Sequence, residues 1–600
     1  MTKIIGLSDS HDASAALIVD GKMVAAVQEE RFTNVKNEFG FPYHCIQWLK
    51  ANHDLSDLDL VVFATQRTNP QIAYVRREAN YSIKDWIHEQ HAYWKPRLLE
   101  GKDVNFVDIF KGRTDFTFDS HYNYEGYLED YGDWEVHRRF QEERLGLAAA
   151  ELGVARDRAV IVSHEDCHKY YALCASPLHD QDVCVVTAEG MGDYSNATVS
   201  VFRDGRMEEI SASLENRLAT LYRYITLILG MKPNEHEYKV MGLAPYAKMF
   251  DVEKVLPIFE DLMEVEGIEV RWRNKPRDLY FTMQERLEGY RFDHIAGALQ
   301  LYLENMLRQW FANIARHTGL RRFVFAGGLA QNIKACMSVA ELDEVDDLFV
   351  CPASGDTSLS VGAAYCAHVT GLESGGGGAR STRPLEHAYL GMEFTQEDCE
   401  RAMAEADVAG RYHVIPRAGN TLVARLLAGG FVMARFKGRM EFGMRALGNR
   451  SILADPRDPA TVKKINDKIK KRDFWMPFTP SMLDTHADRY IVNPKGLRSP
   501  FMTMAFNSTP LGRRDLAAAM HPADYTVRPQ IVTAEANPDY HDLISQFAVL
   551  TGVGALLNTS FNLSGSPIVG TPARAIETFD NSGLDGLILG DSLVLRHKEC

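Results

Sequence analysis

Apolar residues near the start of the chain gather in three short runs, 3–8, 15–19 and 23–28, with the turn pair Asp20-Gly21 between the second and the third. Runs of this length and composition predict a meander of three strands. The plan returns at 183–187, 197–202 and 206–210, again with Asp-Gly, at positions 204 and 205, before the last strand. The pattern is an internal repeat. The loop between the first two strands carries similar chemistry in both copies: Ser10-His11-Asp12-Ala13-Ser14 in one, Gly190-Met191-Gly192-Asp193-Tyr194-Ser195 in the other. Each offers small residues and a carboxylate. Between 66 and 156 the pattern turns helical and aromatic, with Tyr81, Trp86, Tyr93, Trp94, Tyr122, Tyr124 and Trp134. Aromatics at helical spacing are internal packing more often than a ligand surface. As a function for this insertion over the cleft, acceptor binding is the expectation.

Duplicated meanders followed by helices and further strands, at 58–64 and 322–325, describe an α/β architecture of the actin, hexokinase and Hsp70 (ASKHA) kind, in which two related lobes hold a nucleotide. Gly327 and Gly328, which end a strand and lead towards a helix at Asn332, let backbone N–H groups approach a ligand. Four consecutive glycines within 371–384 break the periodicity, and the domain boundary is placed there, giving domains over 1–375 and 385–600. Two domains also suit the length, since 600 residues exceed what one core organises.

Composition narrows the functional classes. No stretch approaches the roughly 18 to 20 apolar residues of a membrane span, and the N-terminus lacks the basic start and apolar run of a secretory signal. A cytoplasmic chain without a membrane partner is expected. Nine cysteines without a CxxC pair read as mostly buried thiols. A formal charge of −15 disfavours long nucleic acids as partners. Basic residues nonetheless cluster at 463–472, just after Arg439, Arg445, Arg450 and Arg457. A bare run of this kind is more often a solvated helix face, but the cluster also suits a small phosphorylated ligand.

Candidate chemistry lies in both halves. Ser163 reads as a helix cap, and His164 and His168, four apart, then share one helix face. Alone, such a pair is a packing or surface feature more often than a metal site. Glu189, Asp193 and Asp356 supply carboxylates from loops that the fold would bring close, and this mixture of imidazole and carboxylate suits Fe(II), Mn(II) or Zn(II). In the second half, Lys437 to Arg457 surrounds glycines and Glu441 with guanidinium groups, which bind phosphate through paired donors. Arg528, Asn558, Ser560 and Asn562 add a guanidinium, a hydroxyl and two amides. For the last three, turn and capping duty is the competing reading.

The strings His11-Asp12-Ala13-Ser14, Glu237-Tyr-Lys-Val-Met-Gly-Leu-Ala-Pro-Tyr246, Gly327-Gly-Leu-Ala-Gln-Asn332, Glu441-Phe-Gly-Met-Arg-Ala-Leu-Gly-Asn-Arg-Ser-Ile-Leu-Ala-Asp455, Arg528-Pro-Gln530 and Asn558-Thr-Ser-Phe-Asn562 occur in this order across nearly the whole chain. Together they resemble the O-carbamoyltransferases of nodulation-factor and antibiotic biosynthesis. The resemblance implies an ASKHA-type N-terminal domain, like the tRNA threonylcarbamoyl transferase subunit, joined to a YrdC-like C-terminal domain. It implies that the C-terminal domain makes carbamoyl adenylate from carbamoyl phosphate and ATP, with Mg2+ accompanying ATP, and that the N-terminal domain passes the carbamoyl group to an alcohol. It makes His164, His168, Glu189 and Asp356 metal ligands, with Fe(II) placed first. His11, with Asp12 beside it, becomes the group that deprotonates the acceptor hydroxyl. Gly192, Asp193, Gly327, Gly328 and Asn332 fall to the N-terminal nucleotide, and Arg439, Arg445, Arg450, Lys471, Arg472, Arg528, Asn558, Ser560 and Asn562 to ATP and carbamoyl phosphate. One departure is visible: the family's usual Asp-Gly-x-Gly-Asp loop reads Glu189-Gly-Met-Gly-Asp193 here and starts two residues farther from the second histidine, with a longer carboxylate that can still ligate.

The leading expectation is therefore an ATP-dependent O-carbamoyltransferase acting on a small natural-product alcohol. A tRNA-modifying threonylcarbamoyl-type transferase shares both domain types but needs a basic face, which the net charge opposes. A non-catalytic nucleotide-binding regulator would need neither His11 nor the arginines.

Overall fold

The computed structural model describes residues 2–76, 81–111, 121–128, 134–371 and 378–596, apart from the side chain of Trp134. The chain divides into an N-terminal unit, Met1–Leu385, and a C-terminal unit, Glu386–Cys600. The glycine-rich break predicted over 371–384 ends one residue before this division, and its positions 372–377 lie outside the described residues.

In the N-terminal unit, β1 (Lys3–Ser8) pairs antiparallel with β2 (Ser14–Val19), which pairs with β3 (Lys22–Gln28). On its other edge β1 runs parallel to β4 (Leu60–Ala64), and β4 to β5 (Ala159–Val162). The second copy consists of β6 (Val183–Ala188), β7 (Ala197–Arg203) and β8 (Arg206–Ser213). After a separate hairpin, β9 (Met263–Glu266) and β10 (Glu269–Trp272), it is completed by β11 (Arg322–Ala326) and β12 (Asp347–Val350). The sheets are ordered 3-2-1-4-5 and 8-7-6-11-12, the same topology twice. Even the register shift in the second strand recurs, between Leu17 and Ile18 and between Val199 and Ser200. The duplicated, two-lobed α/β fold expected from the repeat is the fold observed.

Close helix packing sets the geometry of this unit. A Cβ on Gly6 of β1 would lie 1.8 Å from Ser360 O, and one on Gly362 would lie 2.0 Å from Cys167 O. Only glycine allows the helix Leu359–Thr370 to rest on β1 on one side and on the helix His164–Cys174 on the other. Any side chain at either position would push apart the elements that carry the candidate metal ligands.

The insertion between β4 and β5 contains the helices Pro70–Arg76, Ile83–Glu89 and Trp134–Leu152. Most of its described aromatics are packed inward, and the side chain of Trp134 lies outside the described residues. Tyr81, Trp86 and Tyr93 are buried with Phe106, Phe110, Leu227 and Tyr280, while Tyr122 and Tyr124 join Phe140 in the core of the first sheet. The rings of this segment are buried in cores shared with residues outside it. The eight described cysteines are buried and free. Among the described residues no helix is long and apolar enough to cross a membrane.

The C-terminal unit is built on an eight-stranded mixed sheet of order 13-23-22-14-15-21-16-20. Its strands are β13 (His413–Ile415), β14 (Met433–Phe436), β15 (Arg450–Ala454) and β16 (Thr479–Leu483). After a small sheet of β17 (Ile491–Val492), β18 (Phe506–Ser508) and β19 (Thr526–Val527) come β20 (Gln530–Val532), β21 (Ala555–Ser560), β22 (Gly586–Leu589) and β23 (Ser592–Leu595). The central strands are buried along their whole length, which places the basic motifs at strand ends and in the loops that follow.

Candidate active site

The Ser163 hydroxyl accepts the Asp166 N–H at 3.1 Å and starts the helix that puts His164 and His168 one turn apart on a buried face. Glu189 follows β6, and Asp356 precedes the helix Leu359–Thr370. The four side chains offer ligand atoms within 4.8 Å of one another, a group that could hold a metal ion. His164 Nε2 lies 2.5 Å from Glu189 Oε2 and 3.6 Å from Asp356 Oδ1; His168 Nε2 lies 3.4 and 3.7 Å from the same two oxygens. These separations are short, yet His164 Nε2, His168 Nε2 and Glu189 Oε1 are buried without hydrogen-bond geometry to any partner among the described residues. Lone pairs that converge on a shared point rather than on one another fit a cation. The other ring nitrogen of His164 is engaged by Thr65 Oγ1 at 3.0 Å, which fixes the ring.

Charge follows the same geometry. Burial alone would lower both imidazoles, but Glu189 and Asp356 outweigh it and raise them. Burial alone would likewise raise the two carboxyls. For Glu189 the neighbouring His164 and His168 prevail, for Asp356 His164 and His11, and both carboxyls end below their usual range. Asp356 presents its second oxygen to His11, whose Nε2 is 3.0 Å away, while His11 Nδ1 lies 3.4 Å from Asp12 Oδ2. Loss of water lowers the His11 ring, and Asp356 with Asp12 more than reverses this, raising it to about 10. The His11 side chain remains 38% exposed, so it borders the buried group from the solvent side.

In the C-terminal unit the loop after β14 folds around Glu441, whose Oε1 accepts the N–H groups of Leu447, Asn449 and Arg450 at 2.8, 2.8 and 3.2 Å. Asn558 Nδ2 donates to Ala446 O at 3.1 Å, and Gln530 Nε2 to Leu447 O at 2.8 Å. Arg445 is thereby held near Arg528 and Arg472. Burial, then the like charges of Arg445 and Arg472, push Arg528 well below its ordinary value, and its Nε is buried without a partner among the described residues. Beside them Lys470 Nζ donates to Asn562 Oδ1 at 2.6 Å and Ser560 Oγ at 3.1 Å, and Arg472 Nη2 to Thr559 Oγ1 at 3.1 Å. Like charges gathered in partial burial favour a bound anion.

Residues 3–365 match the family model described as Carbamoyltransferase N-terminus, and residues 424–596 the model described as Carbamoyltransferase C-terminus. The chain belongs to the carbamoyltransferase family. An uncharacterized protein of Methanocaldococcus jannaschii is 28% identical across 99% of this chain and 100% of its own length. Nodulation protein NolNO of Sinorhizobium fredii is 30% identical, covering 98% of this chain and 79% of its own. The 3'-hydroxymethylcephem-O-carbamoyltransferase of Amycolatopsis lactamdurans is 27% identical over 72% of this chain and 80% of its own.

Within this carbamoyltransferase several residues expected at ligands also have structural contacts. Asp193 accepts three backbone N–H groups, from Gln66, Arg67 and His164 at 2.7 to 2.8 Å, and so clasps the loops around the metal group. Asn332 caps the helix Ile333–Ala340 and exchanges hydrogen bonds with Gln300. Gly192 and Gly327 are glycines because a Cβ would meet Ser195 O or Ala188 O at 2.3 Å, whereas Gly328 has open space beside it. Arg450 is fully buried, donates to Lys437 O and Gly438 O at 3.2 and 3.0 Å and covers the Phe436 ring, so it braces the loop. Arg439 donates to Leu390 O and Gly391 O. Lys471 sits in a left-handed conformation at the end of the wide turn Asn466–Lys470 with its side chain exposed, and the inward cation is Lys470.

Sequence reasoning missed Lys470, and it missed two more supports. Glu165, inside the HxxxH string, accepts the N–H groups of Tyr194 and Ser195 and holds the Glu189 loop in place. Arg144 in the insertion is buried against Asp9, 2.6 Å away, and also donates to Ala64 O and Thr65 O. The only local signal for either was an acidic or basic residue at a buried helical position.

Proposed function

We propose that the chain is an ATP-dependent O-carbamoyltransferase. In the C-terminal unit water cleaves carbamoyl phosphate to carbamate and phosphate, and a carbamate oxygen then attacks the α-phosphorus of ATP, accompanied by Mg2+, giving carbamoyl adenylate and releasing pyrophosphate. The N-terminal unit passes the carbamoyl group to the hydroxyl of a small-molecule acceptor, giving a carbamate ester and AMP. The observation that carries this reading is Arg528, a guanidinium whose buried Nε has no partner among the described residues and which feels the like charges of Arg445 and Arg472, an arrangement that suits a polyphosphate substrate. Lys470 orders Ser560 and Asn562 beside it, so that hydroxyl and amide groups face the same space as the cations.

In the N-terminal unit a divalent ion held by His164, His168, Glu189 and Asp356, Fe(II) first among Fe(II), Mn(II) and Zn(II), supplies positive charge that offsets the charge left on departing AMP and relieves the pull of Asp356 on His11. His11 takes the acceptor proton as the oxygen attacks, a contribution of about 10²- to 10⁴-fold. Asp12 orients the ring from its other nitrogen. Thr65, Asp193 and Glu165 keep the histidine helix and the Glu189 loop in register. The formal charge of −15 supports a small acceptor over a nucleic acid.

Incubating the full-length chain with ATP, Mg2+ and carbamoyl phosphate and measuring pyrophosphate tests the first half without knowledge of the acceptor. Release dependent on carbamoyl phosphate is expected, and none at all would sink the reading. Mass spectrometry of a panel of aminoglycoside, macrolide, sugar and guanidine-alkaloid alcohols then looks for the gain of one carbamoyl group.

A further inference from the structure

The loop that carries Glu189 is braced from its far side by the segment leading into the helix Leu218–Ile228. Thr220 Oγ1 donates to Gly190 O at 3.0 Å, and Asn196 Nδ2 reaches Leu214 O and Asn216 O at 3.2 and 3.4 Å. Asn196 O in turn accepts the Glu189 N–H at 2.8 Å. Both ends of the ligand loop therefore rest on this one segment, and the segment carries two arginines, Arg217 and Arg223.

The Arg223 guanidinium lies over the Tyr224 ring, 5.5 Å from its centroid. Both arginines are half-buried, and neither makes a hydrogen bond or ion pair among the described residues. Arg223 Nε is buried without a partner, and its Nη1 lies 3.9 Å from where a Cβ on Gly190 would stand, against the neighbour of Glu189. Burial, then the like charge of Arg223, lowers Arg217 from its ordinary value. The acid that faces Arg223 is Glu237, but burial pushes that carboxyl up to about 6, and its Oε1 already accepts the Asn234 N–H at 2.7 Å. Two guanidinium forks held near each other out of bulk water repel, and an oxyanion between them turns that cost into charge-assisted hydrogen bonds.

We propose that Arg217 and Arg223 form an oxyanion subsite beside Glu189, which takes a phosphate or carboxylate group of a ligand at the transfer centre. Its role in transfer rests on the carbamoyltransferase reading above, whereas its affinity for an anion does not. The oxyanion has two sources, the nucleotide phosphate of the donor or an acidic group on the acceptor alcohol.

The test uses the full-length Arg528→Ala protein, which weakens phosphate binding in the C-terminal unit. Inorganic phosphate and AMP are titrated calorimetrically into this parent and into versions that add Arg217→Gln, Arg223→Gln, Arg223→Lys or, as a control, Arg203→Gln at an exposed pair with Asp182. Phosphate affinity should fall at least about tenfold with either Gln substitution, fall less with Lys, and stay unchanged in the control. A parallel loss for AMP assigns the subsite to the nucleotide. Unchanged AMP affinity with weakened phosphate assigns it to an acidic acceptor. Melting curves that match the parent's exclude a folding cause, and Arg223→Lys retains the charge should Gln destabilise the helix. Phosphate binding that is absent from the parent, or indifferent to both substitutions, overturns the proposal whatever becomes of carbamoyl transfer.

Discussion

The two chemical centres of this molecule are opposites in charge and in how they hold it. In the N-terminal unit, His164, His168, Glu189 and Asp356 bring imidazoles and carboxylates to one point, and His164 Nε2, His168 Nε2 and Glu189 Oε1 lack directed partners among the described residues. In the C-terminal unit, Arg528 lies against Arg445 and Arg472, so that the neighbours of a guanidinium are guanidinium groups. The first arrangement is relieved by a cation, the second by an anion. Each arrangement leaves buried polar atoms without a partner among the described residues, which a cation would satisfy at the imidazole–carboxylate group and an anion at Arg528.

The sharpest way to break this comparison is to remove the cation that defines the anion centre. Arg528→Ala should reduce carbamoyl adenylate formation by about 10³- to 10⁵-fold, the range seen when an arginine facing transferring phosphate is lost. Transfer from supplied carbamoyl adenylate should persist. If both halves failed together, the assignment of one reaction to each centre would be wrong.

The cation centre divides by histidine. His164→Ala or His168→Ala should remove bound metal, because each deletes a converging ligand atom. His11 lies on the other oxygen of Asp356, outside that group, so His11→Ala should keep the metal and the adenylation half-reaction while transfer falls about 10²- to 10⁴-fold. Elemental analysis of the purified variants alongside each half-reaction decides the matter. Metal lost from His11→Ala would make His11 a ligand, and full occupancy after loss of both other histidines would return that pair to packing.

How much of this was legible depended on whether the signal was local. The paired meanders showed because short apolar runs and Asp-Gly turns are written within a few residues, and the helical pair His164 and His168 showed because a spacing of four is a face of a helix. The clasp of Asp9 on Arg144 joins positions 135 apart, and no periodicity marks it. Arg450 looked like its neighbours in a basic string, yet its place on a central, fully buried strand gives it to the backbone carbonyls of its own loop. The aromatics of the insertion were legible as aromatics, but which side they face depends on Leu227 and Tyr280, far along the chain.

Adjacent lysines sharpen the anion side of the comparison. The wide turn Asn466–Lys470 aims Lys470 at Ser560 and Asn562 and leaves Lys471, the lysine expected at the ligand, exposed. Lys470→Ala should slow adenylate formation by on the order of 10-fold, as loss of one charge-assisted contact does, with Lys471→Ala within about twofold of the parent. Equal losses in the two variants would mean that bulk positive charge, not the ordered amide and hydroxyl, serves the phosphates.

The smallest effect concerns a carboxylate outside both centres. Glu189 and Asp356 end below the usual range because imidazoles outweigh their burial, whereas for Glu237 burial prevails over the pull of Arg223 and pushes the carboxyl up to about 6. A folded-state value above the unfolded one, about 4.3, means that the protonated group favours folding. That contribution is complete below about pH 4.3 and is lost as pH rises through about 6. At pH 8 the wild-type chain therefore carries a penalty of up to about 2 kcal/mol at this side chain. Glu237→Gln keeps an acceptor for the Asn234 N–H and cannot ionise. It should raise the Tm at pH 8 by roughly 1 to 3 °C and leave it unchanged near pH 4. A variant less stable than wild type at pH 8 would show instead that Glu237 is ionised and paired with Arg223, and the contrast between carboxylates held by imidazoles and a carboxylate held by burial would fail.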